Sequence, residues 1–554
     1  MQTCSMLFRA TALSLAAALA ACGGGGDGGS EAAAPAVVNP APAALTLSGT
    51  AAVGAALAAA PVSIKCVGGS GSATTAADGS FSVAITGASL PCVLSVTSGA
   101  TTLRSVAEAG SASSAVANIT PLSELIVARL AGGDAAALFN NFDAAAQAKL
   151  SSSGLSDARS AVTTALQGVI DLSSVDPLKS ELKAANGSTA GNALDKLLDT
   201  LGSALRAAGT DVAAVATAMQ ANSSAPAVVQ TLLQPASASC AGLRSGKYRL
   251  LDAYADGIAD ATAVVSIDAA KGSFSVAGGT ARSFAPVSGA ACKFTLDGGS
   301  DTVYVAASGL MMLRYAESAT VTRAAVLLPE QSVPVAELAG NWNISFYGSE
   351  TAGGTPGHGF STETIDATGK TTAGADCVGA TCTSWTPQAS DVFAVDATGG
   401  FTVTDPDGSK ARVFAYKTAA GQISLLGLTF DAKGAPLGFV AAAKQVALGL
   451  PKVDDVNRFW DVEVNWSGVV SPTDVEMTVT AVDATAKTLT RKRMSDGRVD
   501  TFAVNSPRDG LRYRSATASL SEATVMPLPG TGLSVSSGKT LKGASFFTVT
   551  VAKP

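Results

Sequence analysis

The residues able to do chemistry are few and scattered. The 554-residue chain has one histidine, His358. A metalloprotease H-E-x-x-H helix, or a zinc site built from several imidazoles, needs more than one. Any Ser-His-Asp relay would have to run through His358, and the closest serine downstream is in Gly359-Phe360-Ser361. Residues along an extended strand alternate between faces, so that pairing needs unusual geometry. Pro356-Gly357-His358-Gly359 reads as a mobile loop, poorly suited to hold an imidazole near a nucleophile. No G-x-S-x-G occurs. Gly538-Lys539-Thr540 ends like a phosphate-binding loop, but the preceding Gly532 is one residue too far away. Asp405-Pro406-Asp407-Gly408 reads as a hairpin turn, because the further oxygen ligands of a calcium loop do not follow. Asp454-Asp455 reads as a solvated loop, and Arg491-Lys492-Arg493 as an exposed strand edge. The expectation is no catalytic residue, no metal and no cofactor.

Aromatic residues offer binding chemistry instead. Trp342 and Trp460 fall at matching positions of an internal repeat and are expected as core plugs, while Trp385 and Trp466 do not match each other. Trp385 follows a short cysteine loop and is the candidate ligand contact. Its ring could stack on a sugar or anchor a protein partner.

Composition limits the partners. Hydrophobic residues make up 47%, but only 5% are aromatic and 14% charged. The apolar share is mostly alanine and valine, and alanine buries little surface. The net charge is −6, with no long basic block. Nucleic acid is therefore excluded, since phosphate binding needs clustered Lys and Arg. The length suggests roughly three or four domains.

The N-terminus carries an address. Arg9 precedes a short apolar run over residues 10–20, too short to span a bilayer. Leu19-Ala20-Ala21-Cys22 resembles the lipobox of bacterial lipoproteins. The resemblance implies that residues 1–21 are a removed signal peptide and that Cys22 is lipidated. Acyl chains anchor at about 0.8 kcal/mol per buried methylene. Gly23 in place of Asp implies, by the same resemblance, the outer membrane, with the protein facing the periplasm or the cell surface. Residues 22–43, rich in Gly and Pro, read as a tether.

Eight cysteines stand at 4, 22, 66, 92, 240, 292, 377 and 382. With Cys4 removed and Cys22 lipidated, the others suit an oxidising compartment and pair best as sequence neighbours: Cys66–Cys92, Cys240–Cys292 and Cys377–Cys382. Each pair then falls inside one proposed domain. Zinc at Cys377 and Cys382 would lack its remaining ligands.

The elements that position these groups follow from periodicity. Residues 44–117 read as short strands, with Val62, Ile64 and Cys66 on one face and Phe81, Val83 and Ile85 on another. Asp78-Gly79 is placed at a hairpin turn between them. The T-x-x-D-G-x-F pattern there resembles the carboxypeptidase regulatory-like (transthyretin-like) β-sandwich of bacterial surface proteins, which implies a spacer or binding module without catalysis. Over 118–235 the period becomes helical. Thr120-Pro121 opens the first helix, Asp134 a second running through Leu150, and Ser156 a third. Leu194, Leu197, Leu198, Leu201 and Leu205 mark the strongest stripe, and Thr210 caps the last helix. From Cys240 the chain reads as β-structure to its end. Three openings look alike: Gly246-Lys247-Tyr248, Gly340-Asn341-Trp342 and Phe459-Trp460. Each precedes an Asp-Ala tip, at Asp268, Asp366 and Asp483. These predict three related modules at 240–330, 334–445 and 452–552, either sandwiches or, by a faint resemblance, lipocalin-like barrels.

The expected fold class is thus multidomain α+β: a small β-sandwich, an α-helical bundle, then about three mainly antiparallel β modules. The expected function is a non-catalytic, lipid-anchored envelope lipoprotein that binds an envelope protein or glycan or serves envelope structure. The alternative is a hydrolase directed at envelope polymers or glycans.

Overall fold

The computed structural model describes residues 44–99, 101–185, 189–220, 225–276, 279–464 and 472–554. The proposed signal peptide, Cys22, the tether and Trp466 lie outside the described residues. The fold is β-dominated rather than a balanced α+β mixture, with the described α-helices confined to one stretch and one short insertion, and a 3-10 turn at Val335–Leu338.

Two sheets share the N-terminal core. One orders Ser80–Thr86, Ala44–Thr50 and Ser114–Val116; the other orders Gly69–Thr74, Pro61–Val67, Ser89–Ser98 and Thr101–Ala107. Leu47, Val62, Ile64, Phe81, Ile85 and Leu94 fill the space between them. The expected hairpin at Asp78-Gly79 is corrected. An extra strand, Gly69–Thr74, pairs with Pro61–Val67, so the turn crosses from one sheet to the other. That strand has only glycine, serine, alanine and threonine. It carries no large apolar residue, so no alternation announces it.

Helix Pro121–Ala131 begins in a capping box, with Thr120 and Ser123 bonded reciprocally. It packs on the strand Thr101–Ala107, and the helical core takes in Val93 and Val106 from the sandwich. The second expected helix is two, Ala135–Asn140 and Ala144–Lys149, each with its own aspartate cap. The third begins at Ser152 behind a Ser151 cap, not at Ser156. The last two are Val212–Met219, capped by Asp211, and Ala225–Leu232. Among the described residues no helix is long and apolar enough to cross a membrane.

The remainder is three curled β modules. The first closes an eight-stranded barrel by pairing Gly246–Leu251 with Thr322–Pro329. The last closes another by pairing Val456–Val464 with Ser545–Ala552. Between them lies an open nine-stranded sheet with edges Thr381–Trp385 and Ala394–Val395. None of the three is a sandwich, and the middle one does not close.

Each module folds its second and third strands around an Asp-Ala tip. In each tip the aspartate carboxylate accepts a backbone N–H two or three residues on: Lys271 at 3.0 Å, Thr368 at 2.8 Å and Thr485 at 2.8 Å. The side chain thereby satisfies donors that the tight turn leaves unpaired. The openings also match. Gly246 and Gly340 have φ of +139° and +132°, a region that L side chains rarely adopt.

The modules are not separate bodies. One hydrophobic cluster joins the outer walls of both barrels to one face of the central sheet, including Met312, Tyr347, Leu428, Trp460, Leu528 and Val549. Tyr304 meets Trp460 with ring centroids 5.2 Å apart, and Tyr347 stacks on Phe547 at 5.8 Å. Trp460 is therefore buried outside its barrel rather than plugging it. The inward residue is Phe459, packed with Val475 and Met477. Successive strand residues face opposite sides, so a one-residue slip in the repeat alignment moves the tryptophan to the other face.

Candidate functional site

The concave face of the central sheet is where chemistry collects. In the strand Gly340–Gly348, Trp342 and Ile344 face the hollow. Asn343, Ser345 and Tyr347 face the neighbouring barrel. Trp342 is fully buried and donates its indole N–H to the Leu338 carbonyl at 2.7 Å. It is a core residue that also forms the pocket wall. In the strand Gly357–Ile365, Glu363 and Ile365 alternate onto the same face.

The open edge supplies the other wall. Trp385 ends the edge strand Thr381–Trp385 opposite Gly374. A Cβ at position 374 would lie 2.1 Å from the Trp385 ring, so the indole lies flat on the glycine. Glycine is required there because any side chain would displace the ring. The chain then crosses the opening. Thr371 N–H bonds the Asp391 carbonyl at 2.8 Å, and Phe393 N–H bonds the Gly369 carbonyl at 2.8 Å. This brings Asp391 and Phe393 over the hollow, with Asp405 from the following hairpin. The result is a cavity of about 260 Å³ walled by Trp342, Trp385 and Phe393, with Glu363, Asp391 and Asp405 in its lining.

The electrostatics are one-sided. Glu363 is half-buried, and loss of water pushes its pKa above the usual carboxylate value. A hydrogen bond from Thr371 at 3.1 Å opposes this, while Asp391, Asp376 and Asp405 push it further up. Asp391 accepts the Gln388 N–H at 2.7 Å, and Asp405 accepts the Ser409 hydroxyl at 3.2 Å. Among the described residues, none of the three carboxylates is in an ion pair. No group of three His, Cys, Asp or Glu among the described residues could hold a metal ion.

The remaining sequence candidates lie elsewhere. Cysteines 66 and 92, 240 and 292, and 377 and 382 are joined in pairs. The Cys377–Cys382 bridge staples the hairpin whose end is Trp385. His358 is not in a mobile loop. It lies in the strand Gly357–Ile365, half-buried, with Nδ1 2.9 Å from the Ser545 hydroxyl of the last strand. Ser361 is not its partner, and no carboxylate among the described residues is hydrogen-bonded to the ring. Burial lowers its pKa, Lys539 lowers it further, and Glu522 acts weakly the other way. Asp405 to Gly408 form a hairpin turn, with Asp407 accepting the Ser409 N–H at 2.9 Å. The strand Thr488–Arg493 is no edge. It is paired on both sides, and of the basic triplet Lys492 is exposed while Arg491 and Arg493 are half-buried.

Sequence reasoning missed Glu363 and Asp391. The available signal was an acid in register with Ile365, an inward apolar position of the same strand. Asp391 had none, because only the crossing segment brings it to the pocket.

Comparison with known proteins adds little. No family model matches the chain, and no curated protein matches it. A crystal structure of a protein of unknown function from the DUF3598 family of Nostoc punctiforme overlaps 40% of this chain and 100% of its own, at 12% identity and a TM-score of 0.15. A tryptophan-to-alanine mutant of transferrin binding protein B from Haemophilus parasuis overlaps 56% of this chain and 75% of its own, at 10% identity and a TM-score of 0.16. A double mutant of the same protein gives 53%, 65%, 12% and 0.17. Overlaps this low carry no argument about fold or function.

Proposed function

We propose that this chain is a lipid-anchored cell-envelope protein that binds its ligand, without catalysis, in the hollow of the central sheet. The anchor rests on the Leu19-Ala20-Ala21-Cys22 lipobox. The binding role rests on one observation: an aromatic-walled cavity of about 260 Å³ whose carboxylates have no ion-pair partner among the described residues. Indole faces attract cations through the ring quadrupole, and the half-buried carboxylates of Glu363 and Asp391 favour a positive guest that offsets their desolvation. The ligand therefore presents an organic ammonium group, on a basic protein side chain or an amino sugar. The regulatory-like sandwich at 44–117 serves as a spacer between membrane and binding module.

A second reading has one observation in its favour. Glu363, with its raised pKa, faces other carboxylates, the pattern of a general acid beside a base in glycan hydrolysis. Against it, Asp391 and Asp405 each hold a turn together, which leaves them poorly placed to activate water.

Tryptophan fluorescence of the wild type, titrated with choline, tests the binding role. Saturable change is expected, with affinity at least about tenfold weaker in Trp385→Ala. No saturable change, or an unaltered affinity in the variant, refutes it. Reducing-sugar release from envelope glycans that Glu363→Gln abolishes would establish the hydrolase instead. For the anchor, Cys22→Ser should leave the membrane fraction or remain unprocessed; a variant processed and partitioned like the wild type contradicts it.

A further inference from the structure

The C-terminal barrel holds more buried positive charge than its own acids neutralise. Its lumen-facing positions alternate along the strands. Leu489, Phe502, Val504, Ala523 and Val525 form an apolar floor. On the same faces lie Arg491, in register with Asp500, and Arg512 and Arg514, in register with Val525 and Ala523. Three guanidinium groups on the inward faces of a closed barrel need partners, since each carries five donors and keeps its charge.

The acids are already committed. Asp500 is buried and takes both Arg514 at 2.5 Å and Arg498 at 3.0 Å. Asp496 takes Arg493 at 2.6 Å. Asp461 accepts the Thr550 hydroxyl at 2.6 Å, and burial raises its pKa in spite of the nearby arginines. Arg491 and Arg512 are left over. Among the described residues neither guanidinium makes a hydrogen bond or an ion pair, and the Nε of each is sealed from solvent without a partner. Arg491 lies over the Phe502 ring at 4.8 Å, and Arg514 over the same ring at 5.2 Å. Burial lowers the Arg491 pKa to about 10 and the like charge of Arg512 lowers it further, while Asp500 and Asp461 act the other way without bonding to it. Two like charges whose sealed Nε atoms have no hydrogen-bond partner among the described residues are costly in a partly dry lumen, unless an anion lies between them.

We propose that the lumen of the C-terminal barrel is an oxyanion site, in which Arg491 and Arg512 together bind a phosphate-class group. A guanidinium presents parallel N–H donors matched to two oxygens of one oxyanion, so two of them can clamp a single tetrahedral head. Phe502 holds the Arg491 plane from one side, and Asp500 fixes Arg514 so that it does not compete. The group could be free phosphate or the phosphomonoester head of a lipid. This site is separate from the central-sheet pocket and stands or falls independently of it.

The test is the thermal midpoint of the full chain in inorganic phosphate, against chloride at equal ionic strength, with phosphatidate vesicles as a second arm. Phosphate should raise the midpoint saturably. Stabilisation by vesicles alone would assign the site to a lipid head. Arg512→Gln and Arg491→Gln should each weaken the effect about tenfold or more, because a charge-assisted clamp is lost. Arg493→Gln, whose arginine is already paired, should leave it unchanged. Without phosphate, Arg512→Gln should be no less stable than the wild type. If neither glutamine variant folds, peptide mapping after phenylglyoxal treatment of the wild type replaces them, and phosphate should protect Arg491 and Arg512. No response to phosphate or vesicles, an equal response in all variants, or no protection overturns the proposal.

Discussion

Tyr248 of the first barrel and Trp342 of the central sheet occupy the same place: two residues past a glycine of positive φ, at the start of a module's first strand. Their surroundings then diverge. Around Tyr248 the sheet closes, and the lumen fills with Phe274, Phe284, Phe294, Met311 and Leu327. The phenylalanines form a ladder, with ring centroids 5.5 and 5.7 Å apart. Around Trp342 the edges stay unpaired, a short crossing segment spans the gap, and a cavity with three carboxylates remains. Closure consumes the inward face as core. Leaving the sheet open keeps part of that face as a cavity, and the packing lost inside is regained outside, where the sheet's other face is buried against both barrels.

This contrast predicts unequal costs for removing aromatics. Phe294→Ala in the closed lumen should cost about 3–5 kcal/mol in denaturant unfolding, because the packed ladder cannot collapse into the void. Trp385→Ala at the open edge should cost about 1–2 kcal/mol, since the ring covers only Gly374 and one wall. Equal costs would mean that the sheet's hollow is a core like the barrel's.

The seam between the central sheet and the last barrel gives a smaller effect. His358→Ala removes the bond to Ser545 and should cost about 1 kcal/mol near neutral pH. The folded-state pKa of His358 lies below its ordinary value of 6.5, so the unfolded chain binds the proton first. Its contribution is present above that value and is lost as pH falls through the lower folded value. The difference between wild type and variant should therefore shrink on acidification, as read from melting curves. A growing difference contradicts the burial of His358.

The smallest expected change has the opposite sign. Glu363 has a folded pKa above its ordinary 4.5, so its protonated form is the stabilising one. That contribution is complete below the ordinary value and is lost as pH rises through the folded one. Glu363→Gln should flatten this decline and leave the protein at neutral pH no less stable than wild type. A loss of stability at neutral pH would show that the carboxylate holds the fold rather than awaiting a ligand.

What was legible in the sequence was local. The Asp-Ala tips show because an aspartate that satisfies its own turn is a short-range device. The leucine stripe from Leu194 to Leu205 shows because a helix buries one face at a fixed period. What escaped depended on distant chain. Trp460-Asp461-Val462-Glu463-Val464 alternates, but alternation marks an apolar face without saying whether the lumen or a neighbouring module covers it, and Phe459 is buried on the other side. Whether a curled sheet closes is decided by its edge strands, and Thr381–Trp385 gives no local sign that it finds no partner. The pocket joins Trp342, Glu363, Trp385 and Asp391 from separate stretches, and Arg491 reads as part of an edge until both strands beside it are placed.

Calorimetric titration with choline across pH tests the central claim most directly, because choline carries a permanent charge and any pH dependence belongs to the protein. If the open sheet binds cations through Glu363, affinity should strengthen as pH rises through the folded pKa of that group. Binding below that point should release protons, seen as a heat that depends on the buffer's ionisation enthalpy, and Glu363→Gln should abolish both effects. Affinity independent of pH, proton uptake in place of release, or unchanged behaviour in Glu363→Gln would contradict it.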